Sequence, residues 1–254
     1  MTKKLALATT ALTSAKLVVP LGRGSRGKTF WARWAIERAQ RAGRAIVVAD
    51  ADRTNPTLSN YFQQVMRPQT ADDRDVKSWF EQVIEQQIEE KFSALIDFGG
   101  GDLVLKSTGR ELHLASFLEN YNIQAVAVHL IGPDPDDLSF LRDMENGAFA
   151  PEATILVLNE SLVPAHLTPA TAFEDTVMRH PILLKAVERG AKLVFMPQLK
   201  CAGAIDQRRL SFASAEAGQV RPGQAQIGPI DRQRTAVWLR SMESAFSEVI
   251  SWLP

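Results

Sequence analysis

Several features that are common in other classes of protein are scarce in this sequence. The chain has 254 residues and one cysteine, Cys201, which excludes an internal disulfide framework and is typical of a reducing compartment. Its 29 basic and 29 acidic side chains cancel, so no global positive field attracts nucleic acid or an anionic membrane. No apolar run reaches the roughly 18–20 residues that a membrane-spanning helix requires. We therefore expect a packed protein of the cytoplasm.

What the sequence does contain is an alternation of short apolar runs with segments of helical periodicity. This alternation predicts a three-layer α/β/α fold with a mostly parallel central sheet, formed as a single domain over residues 1–254. The predicted strands are Lys16–Leu21, Ala45–Ala49, Ala94–Phe98, Ala125–Ile131, Thr154–Leu158 and Lys192–Met196. The predicted helices are Lys28–Ala42, Asp73–Lys91, Gly109–Asn120, Pro135–Asn146, Thr171–Arg189 and Asp231–Leu253. Residues 199–230 are predicted to be an irregular loop with a helical turn at Ile205–Phe212.

The clearest motif lies between the first predicted strand and the first predicted helix. Its residues match the pattern G-x-x-x-x-G-K-[ST] of a phosphate-binding P-loop. Glycines let successive backbone N–H groups point at one phosphate, and the following helix directs its positive end to the same place. We expect Lys28 to lie along the β- and γ-phosphates and Thr29 to coordinate magnesium; a glycine-rich turn without a ligand is the alternative. The motif is Gly22, Arg23, Gly24, Ser25, Arg26, Gly27, Lys28 and Thr29.

Acidic residues follow two of the other predicted strands. Asp50 and Asp52 end the second strand, and Asp97 ends the third strand before Gly99–Gly101. The carboxyl ends of parallel strands meet at the edge of the sheet where ligands bind, so these carboxylates are expected to converge. The glycines could bring backbone N–H groups to a γ-phosphate. The alternative for Asp50 and Asp52 is a solvated pair in a turn, and Asp102 has no assigned role.

These motifs, in this order, resemble those of the ParA/MinD group of ATPases, within the class that includes nitrogenase iron protein and signal-recognition GTPases. The resemblance implies that Asp50 supports the magnesium shell, that Asp97 holds Mg²⁺ through water, and that Asp52 positions or activates the attacking water. It also implies that Asn159 contacts the adenine ring and that Pro197 lies in a base-flanking segment. The chain has no N-K-x-D or T-K-x-D sequence, which favours ATP over GTP.

The P-loop departs from the pattern of that group at two positions. The group carries G-K-G-G-x-G-K-[ST], whereas Arg23 replaces the first lysine here and Ser25 replaces a glycine. In the group, that lysine reaches the partner's phosphates in an ATP-bound homodimer. The resemblance thus implies that Arg23 acts in trans on catalysis together with Lys28 and Asp52; the alternative is an arginine that caps the loop at the surface. No role for Arg26 follows from the sequence.

The resemblance predicts an ATP-hydrolysing switch protein whose ATP-bound dimer positions or segregates cargo, such as plasmid DNA, a conjugation apparatus or a membrane machine. A small-molecule kinase or ligase, and a nucleotide-gated binding module with negligible hydrolysis, remain alternatives. The apolar stripe in 231–253 predicts a helix packed on the sheet, and its mixed charge disfavours membrane association. Arginines near the C-terminus form either a patch for nonspecific DNA binding or a scattered solvated surface; they are Arg208, Arg209, Arg221, Arg232, Arg234 and Arg240.

Overall fold

The computed structural model describes residues 14–53, 55–100, 102–174, 176–220 and 223–254. Its centre is a seven-stranded sheet of order β3-β2-β4-β1-β5-β6-β7, in which every neighbouring pair of strands is parallel. The strands are β1 (Ala15–Leu21), β2 (Val47–Asp50), β3 (Val65–Met66), β4 (Ala94–Asp97), β5 (Ile123–Ile131), β6 (Ala153–Asn159) and β7 (Lys192–Met196). The predicted parallel sheet is confirmed.

Helices cover both faces of the sheet, which makes the fold the predicted three-layer α/β/α fold. One face packs against α1 and the C-terminal helices around Trp31 and Trp34, and the other packs against α2–α5 around Phe80 and Phe98. The helices are α1 (Lys28–Arg41), α2 (Asp73–Glu90), α3 (Leu103–Leu112), α4 (Leu114–Asn120), α5 (Leu138–Asp143), α6 (Pro169–Glu174), α7 (Pro181–Glu188), α8 (Ala202–Gln207), α9 (Phe212–Ala217) and α10 (Pro229–Ala245). Because helices cover both faces of the sheet, the side chains on both faces of each central strand are buried, which explains the nearly all-apolar strand sequences.

Three predicted helices are divided in the structure. The predicted helix Gly109–Asn120 is the end of α3 plus α4, because His113 adopts a left-handed conformation with φ of 46° between them. The predicted helix Pro135–Asn146 begins as a 3-10 turn at Pro135–Asp137 and ends in a π-helical turn at Met144–Ala148. The predicted helix Thr171–Arg189 is α6 and α7, and Pro181 opens α7.

The prediction of an irregular loop over residues 199–230 is wrong for part of that segment. It contains α8 and α9, and the side chains of Ile205, Phe212 and Ala215 are buried in the core cluster that includes residues of α1 and α10. The buried carboxylate of Glu37 on α1 accepts hydrogen bonds from the backbone N–H groups of Phe212 and Ala213, which satisfies the first donors of α9. Helices of six residues are too short to show a clear period in the sequence.

The C-terminal helix is shorter than the predicted 231–253. The α-helix ends at Ala245, and a 3-10 helix follows over Ser247–Trp252. Trp238, Met242 and Phe246 are buried on the sheet, so the packed alternative is the one observed. Among the helices of the described residues, none is both long enough and apolar enough to span a bilayer.

Candidate functional site

Three neighbouring strands bring the predicted site residues to one edge of the sheet. β1 lies between β4 and β5 and leads directly into the P-loop at Gly22. β2 and β4 are paired in register so that Asp50 lies opposite Asp97 at their carboxyl ends. The structure therefore places the P-loop beside both acidic strand ends, as the sequence predicts.

The P-loop adopts a backbone shape that requires glycine at two positions. Gly22 has φ of 135° and Gly27 has φ of 93°, in the region that other residues rarely adopt. A Cβ atom on Gly22 would lie 2.6 Å from the carbonyl oxygen of Leu130, and one on Gly27 would lie 2.7 Å from Nδ2 of Asn159. Gly27 is also the residue before α1, so the loop opens at the positive end of a 14-residue helix.

Lys28 lies at the base of this loop with only 7% of its surface exposed. Its Nζ donates hydrogen bonds to the carbonyl oxygens of Gly22 at 3.2 Å and Arg23 at 3.1 Å. Burial lowers the pKa of Lys28, and the carboxylates of Asp97 and Asp52 act in the opposite direction. The ammonium group is thus held inside the loop by weak carbonyl contacts, from which a phosphate could readily draw it.

Thr29 and Asp97 form the second part of the site. The Thr29 hydroxyl donates to Oδ2 of Asp97 at 2.7 Å. Asp97 is 2% exposed, and burial raises its pKa to about 7, against the hydrogen bond from Thr29 and the charge of Lys28. Its other oxygen, Oδ1, is buried without a hydrogen-bond partner. A buried carboxylate with an unsatisfied oxygen beside a threonine hydroxyl fits a site for Mg²⁺ or its water shell.

Within the described residues, no three His, Cys, Asp or Glu side chains gather into a metal site of their own. Mg²⁺ needs no such cluster, because proteins usually bind it through one or two carboxylates together with water and substrate phosphates. Thr29 and Asp97, with Asp50 opposite Asp97 on β2, fit a magnesium site that a nucleotide would complete.

Asp50 and Asp52 organise the segment that follows β2. The buried carboxylate of Asp50 accepts hydrogen bonds from the N–H groups of Asp52 at 3.1 Å and Leu58 at 3.0 Å. Oδ1 of Asp52 accepts one from Asn55 at 2.9 Å. Burial raises the pKa of Asp50, and the two backbone donors act against that rise. Asp50 thus also shapes its own loop, a role that the sequence does not reveal.

The glycines after β4 contact both of the other segments. A Cβ atom on Gly99 would lie 3.1 Å from Oδ1 of Asp52, and one on Gly100 would lie 2.5 Å from the backbone nitrogen of Gly24. The P-loop, the Asp52 segment and the post-β4 segment therefore touch one another. Gly101 lies outside the described residues.

An ion pair between Arg53 and Asp102 joins the same two acidic segments. Nη2 of Arg53 lies 3.1 Å from the carboxylate of Asp102, and its Nη1 contacts Asp73 at the start of α2. The other oxygen of Asp102 accepts from the N–H of Val104 at 2.7 Å and caps α3. Asp102 thus caps α3 and bridges to Arg53. An aspartate directly before an apolar helix could have indicated the cap from the sequence, but nothing in the sequence indicated the ion pair with Arg53.

The residues predicted to contact the base lie near the P-loop but use their polar groups internally. Nδ2 of Asn159 donates to the carbonyl oxygen of Arg26 at 3.0 Å, and its Oδ1 accepts from Ser161. The carbonyl oxygen of Pro197 accepts from Nε1 of Trp238 at 2.8 Å. Asn159 therefore supports the P-loop through its hydrogen bond to Arg26, and its contact with adenine stays a prediction.

Both arginines of the P-loop lie against an acidic loop that the sequence did not single out. Arg26 Nε is 2.7 Å from the carboxylate of Asp137, and Arg23 Nη1 is 3.4 Å from Asp137 and 3.5 Å from Asp134. The P-D-P-D-D segment after β5 could have been noted as acidic, but its pairing with residues more than 100 positions away could not be read from the sequence.

Comparison with known proteins gives no family. No family model matches the chain, and no curated protein matches it. Among solved structures, it is similar to the cell division protein MinD from Aquifex aeolicus, at 12% identity and a TM-score of 0.48, covering 91% of this chain and 98% of MinD. It is also similar to chloroplast FtsY from Physcomitrella patens, at 14% identity and a TM-score of 0.47, covering 77% of this chain and 62% of FtsY. A third is FlhF complexed with GMPPNP and Mg²⁺, at 13% identity and a TM-score of 0.42, covering 90% of this chain and 75% of FlhF.

Proposed function

We propose that this protein binds a nucleoside triphosphate with Mg²⁺ in the loop of residues 22–29 and hydrolyses it. The observation that carries this proposal is the arrangement around Lys28: a glycine-shaped loop at the start of α1 surrounds a buried ammonium group. Beside it, Thr29 bonds a carboxylate whose second oxygen has no partner. A glycine-rich loop at a helix N-terminus, next to a buried carboxylate oxygen without a hydrogen-bond partner, fits a magnesium–triphosphate complex.

In the proposed site, the residues divide into three tasks. Backbone N–H groups of the loop and Lys28 would bind the phosphates, and Thr29, Asp97 and Asp50 would hold Mg²⁺ directly or through water. Mg²⁺ would neutralise charge on the transferred phosphoryl group. Asp52 would position the attacking water, because its carboxylate lies beside Gly99 at the mouth of the loop. ATP is the proposed nucleotide, since the chain lacks a guanine-selecting sequence.

We extend the proposal to an ATP-dependent homodimer that acts as a switch and positions cargo, following the resemblance to ParA/MinD ATPases. A small-molecule kinase stays an alternative, and phosphate release without an added acceptor distinguishes it from the proposed ATPase. Nonspecific DNA binding stays a prediction: Arg208 and Arg232 donate to backbone carbonyls, Arg234 pairs with Asp231, and Arg221 lies outside the described residues.

The first test is calorimetric titration with ATP and Mg²⁺. We expect the wild type to bind and Lys28→Ala to bind about 100-fold more weakly, because it loses a charge-assisted contact to phosphate in a buried site. Lys77→Ala is the matched control, since Lys77 is a surface lysine on α2 that pairs with Glu111. GTP is titrated in parallel, and phosphate release is measured without any added acceptor.

Equal affinity of Lys28→Ala and Lys77→Ala for ATP, or no heat of binding by the folded wild type, would exclude the proposed site. Tighter binding of GTP than of ATP would leave the site in place and overturn the choice of nucleotide. Binding without phosphate release would favour the nucleotide-gated binding module.

The dimer is tested through Arg23, whose guanidinium is partly exposed at the loop surface. With a non-hydrolysable ATP analogue and Mg²⁺, the wild type is expected to sediment as a dimer and Arg23→Ala as a monomer, because an arginine can offer two aligned donors to a partner's phosphate. Arg240→Ala, at an exposed position of α10, should behave as the wild type does. Dimerisation of Arg23→Ala with unchanged turnover would show that Arg23 does not act in trans.

A further inference from the structure

The acidic loop after β5 is tied to the P-loop through one buried carboxylate. Asp137 is 2% exposed and accepts three hydrogen bonds. One comes from the backbone N–H of Gly132 at 2.8 Å, one from Nε of Arg26 at 2.7 Å, and a longer one from Nη1 of Arg23 at 3.4 Å. A buried carboxylate is stable only when it is paired in this way.

Arg26 is held from both of its ends. Its side chain, 22% exposed, reaches Asp137, and its backbone carbonyl accepts from Nδ2 of Asn159 at 3.0 Å. It stands between Ser25, with φ of 61°, and Gly27, with φ of 93°. Left-handed backbone conformations are intrinsically unfavourable, so this part of the loop depends most on contacts from outside it. The two contacts of Arg26 are therefore expected to have the largest effect on the shape of the loop.

The close approach of the two loops depends on the absence of a side chain at position 132. A Cβ atom on Gly132 would lie 2.8 Å from Oδ2 of Asp137 and 3.6 Å from Cδ of Arg26. Any larger residue would displace the carboxylate or the arginine stem. The contact is therefore built by three residues of the chain and is not a chance pairing of surface charges.

We propose that Asp137 is a positioning residue for the P-loop: acting through Arg26, it holds the loop in its anion-binding shape before nucleotide arrives. The inference rests on the proposed function. A loop already in the binding shape loses little conformational freedom when the ligand enters, and the saved ordering cost appears as affinity. Arg23 shares the same carboxylate at a longer distance and is more exposed, so it is the arginine able to leave.

The direction in which ATP affinity changes when Asp137 is replaced distinguishes a positioning role from simple charge repulsion. A carboxylate near a phosphate site repels the ligand, so removing its charge alone would strengthen nucleotide binding. Loss of a positioning contact would weaken it instead. Asn at position 137 keeps one oxygen that can accept from Gly132, but it loses the negative charge and the second acceptor oxygen that pair with Arg26 and Arg23.

The experiment measures the Kd of ATP with Mg²⁺ by calorimetry in a set of variants. Asp137→Asn and Arg26→Ala are each expected to bind about tenfold more weakly, the effect of one newly freed side chain and loop segment. The double variant should be no weaker than either single variant, because both remove the same contact. Arg26→Lys should recover part of the loss, since an ammonium group can still pair with Asp137.

Asp136→Asn is the matched control. The side chain of Asp136 is 83% exposed and lies 4.0 Å from Nη1 of Arg23. The Kd of ATP for this variant should change less than about twofold or should decrease.

Unchanged or tighter ATP binding by Asp137→Asn and Arg26→Ala, with a wild type that binds, would overturn the inference and leave the proposed function intact. Additive losses in the double variant would overturn the route through Arg26. A lower melting temperature without a change in Kd would assign Asp137 a structural role alone. If circular dichroism shows that Asp137→Asn does not fold, the Kd of Arg26→Ala tests the positioning role instead. If the folded wild type does not bind ATP, both this inference and the proposed function are wrong.

Discussion

Asp97→Asn is expected to make the nucleotide-free protein more stable at pH 8, while removing most of the stabilisation that ATP and Mg²⁺ provide. Burial raises the pKa of Asp97 to about 7 from an ordinary value of 3.8, so ionising this carboxyl costs free energy in the folded state. Asparagine has nearly the same shape and carries no charge. The rise in pKa from 3.8 to about 7, at about 1.36 kcal/mol for each unit, sets an upper bound of about 4 kcal/mol. Asparagine accepts a weaker hydrogen bond from Thr29 than the carboxylate does, so we expect a gain of about 1 to 3 kcal/mol, or a few degrees in Tm.

The pH dependence of this gain has a defined direction. Between pH 4 and 7 the folded state binds a proton that the unfolded state has released, so the wild type loses stability relative to Asp97→Asn as the pH rises through that window. Above pH 7 the difference should level off. Thermal unfolding from pH 4.5 to 8.5, with and without ATP and Mg²⁺, measures both effects.

Asp143→Asn is the control for these measurements. Asp143 is half-exposed, and its hydrogen bond with Lys106 lowers the pKa of Asp143, so its replacement should cost little stability and should leave the response to nucleotide unchanged. A nucleotide-free Asp97→Asn protein that melts below the wild type at pH 8 would contradict the expectation. It would mean that the charged carboxylate makes favourable contacts that outweigh its burial.

Gly109→Ala is expected to destabilise the fold more than any surface substitution. A Cβ atom at Gly109 would lie 1.9 Å from the carbonyl oxygen of Ala148 and 2.9 Å from its carbonyl carbon. Both are backbone atoms of the π-helical turn after α5, so no side-chain rotation can make room. α3 and this turn would have to separate, which we expect to cost about 3 kcal/mol or more.

Gly203→Ala provides the matched control, because Gly203 is also inside a helix, α8, and nothing lies within 4 Å of its added Cβ atom. There, alanine should be neutral or stabilise by up to about 1 kcal/mol through its better helix propensity. Urea unfolding of both variants compares the two glycines directly. A Gly109→Ala protein as stable as Gly203→Ala would contradict the expected clash between an added methyl group and the Ala148 carbonyl.

The sequence predicted the sheet well because strand formation here is a local signal. Runs such as Leu17–Leu21 and Ile155–Leu158 are apolar on both faces, and only a sheet covered on both sides buries them. Within the part of the chain that the structure describes, the strand that the sequence missed is β3, which has two residues at the sheet edge and no such run. The boundaries of the helices were predicted less accurately. A left-handed residue such as His113 interrupts the apolar periodicity without a glycine or proline to mark the break.

The site was predictable to the extent that its residues follow one another in the chain. The order glycine loop, lysine, threonine ties Lys28 and Thr29 to the start of α1, and alternate aspartates at a strand end reach the same edge of the sheet. The sequence could not indicate that Asp50 accepts hydrogen bonds from its own loop or that Asn159 braces the P-loop, because those contacts depend on side-chain directions set by packing.

By itself, the sequence determined the parallel α/β architecture and the position of the P-loop within it, since both arise from local periodicity and from the backbone freedom of glycine. Only the tertiary structure decided which charges meet: Arg23 and Arg26 with Asp137, and Arg53 with Asp102. The reason is physical. A charged side chain can pair with any opposite charge in a chain that has 29 of each sign, and the choice is made by the strand order that places β5 beside β1.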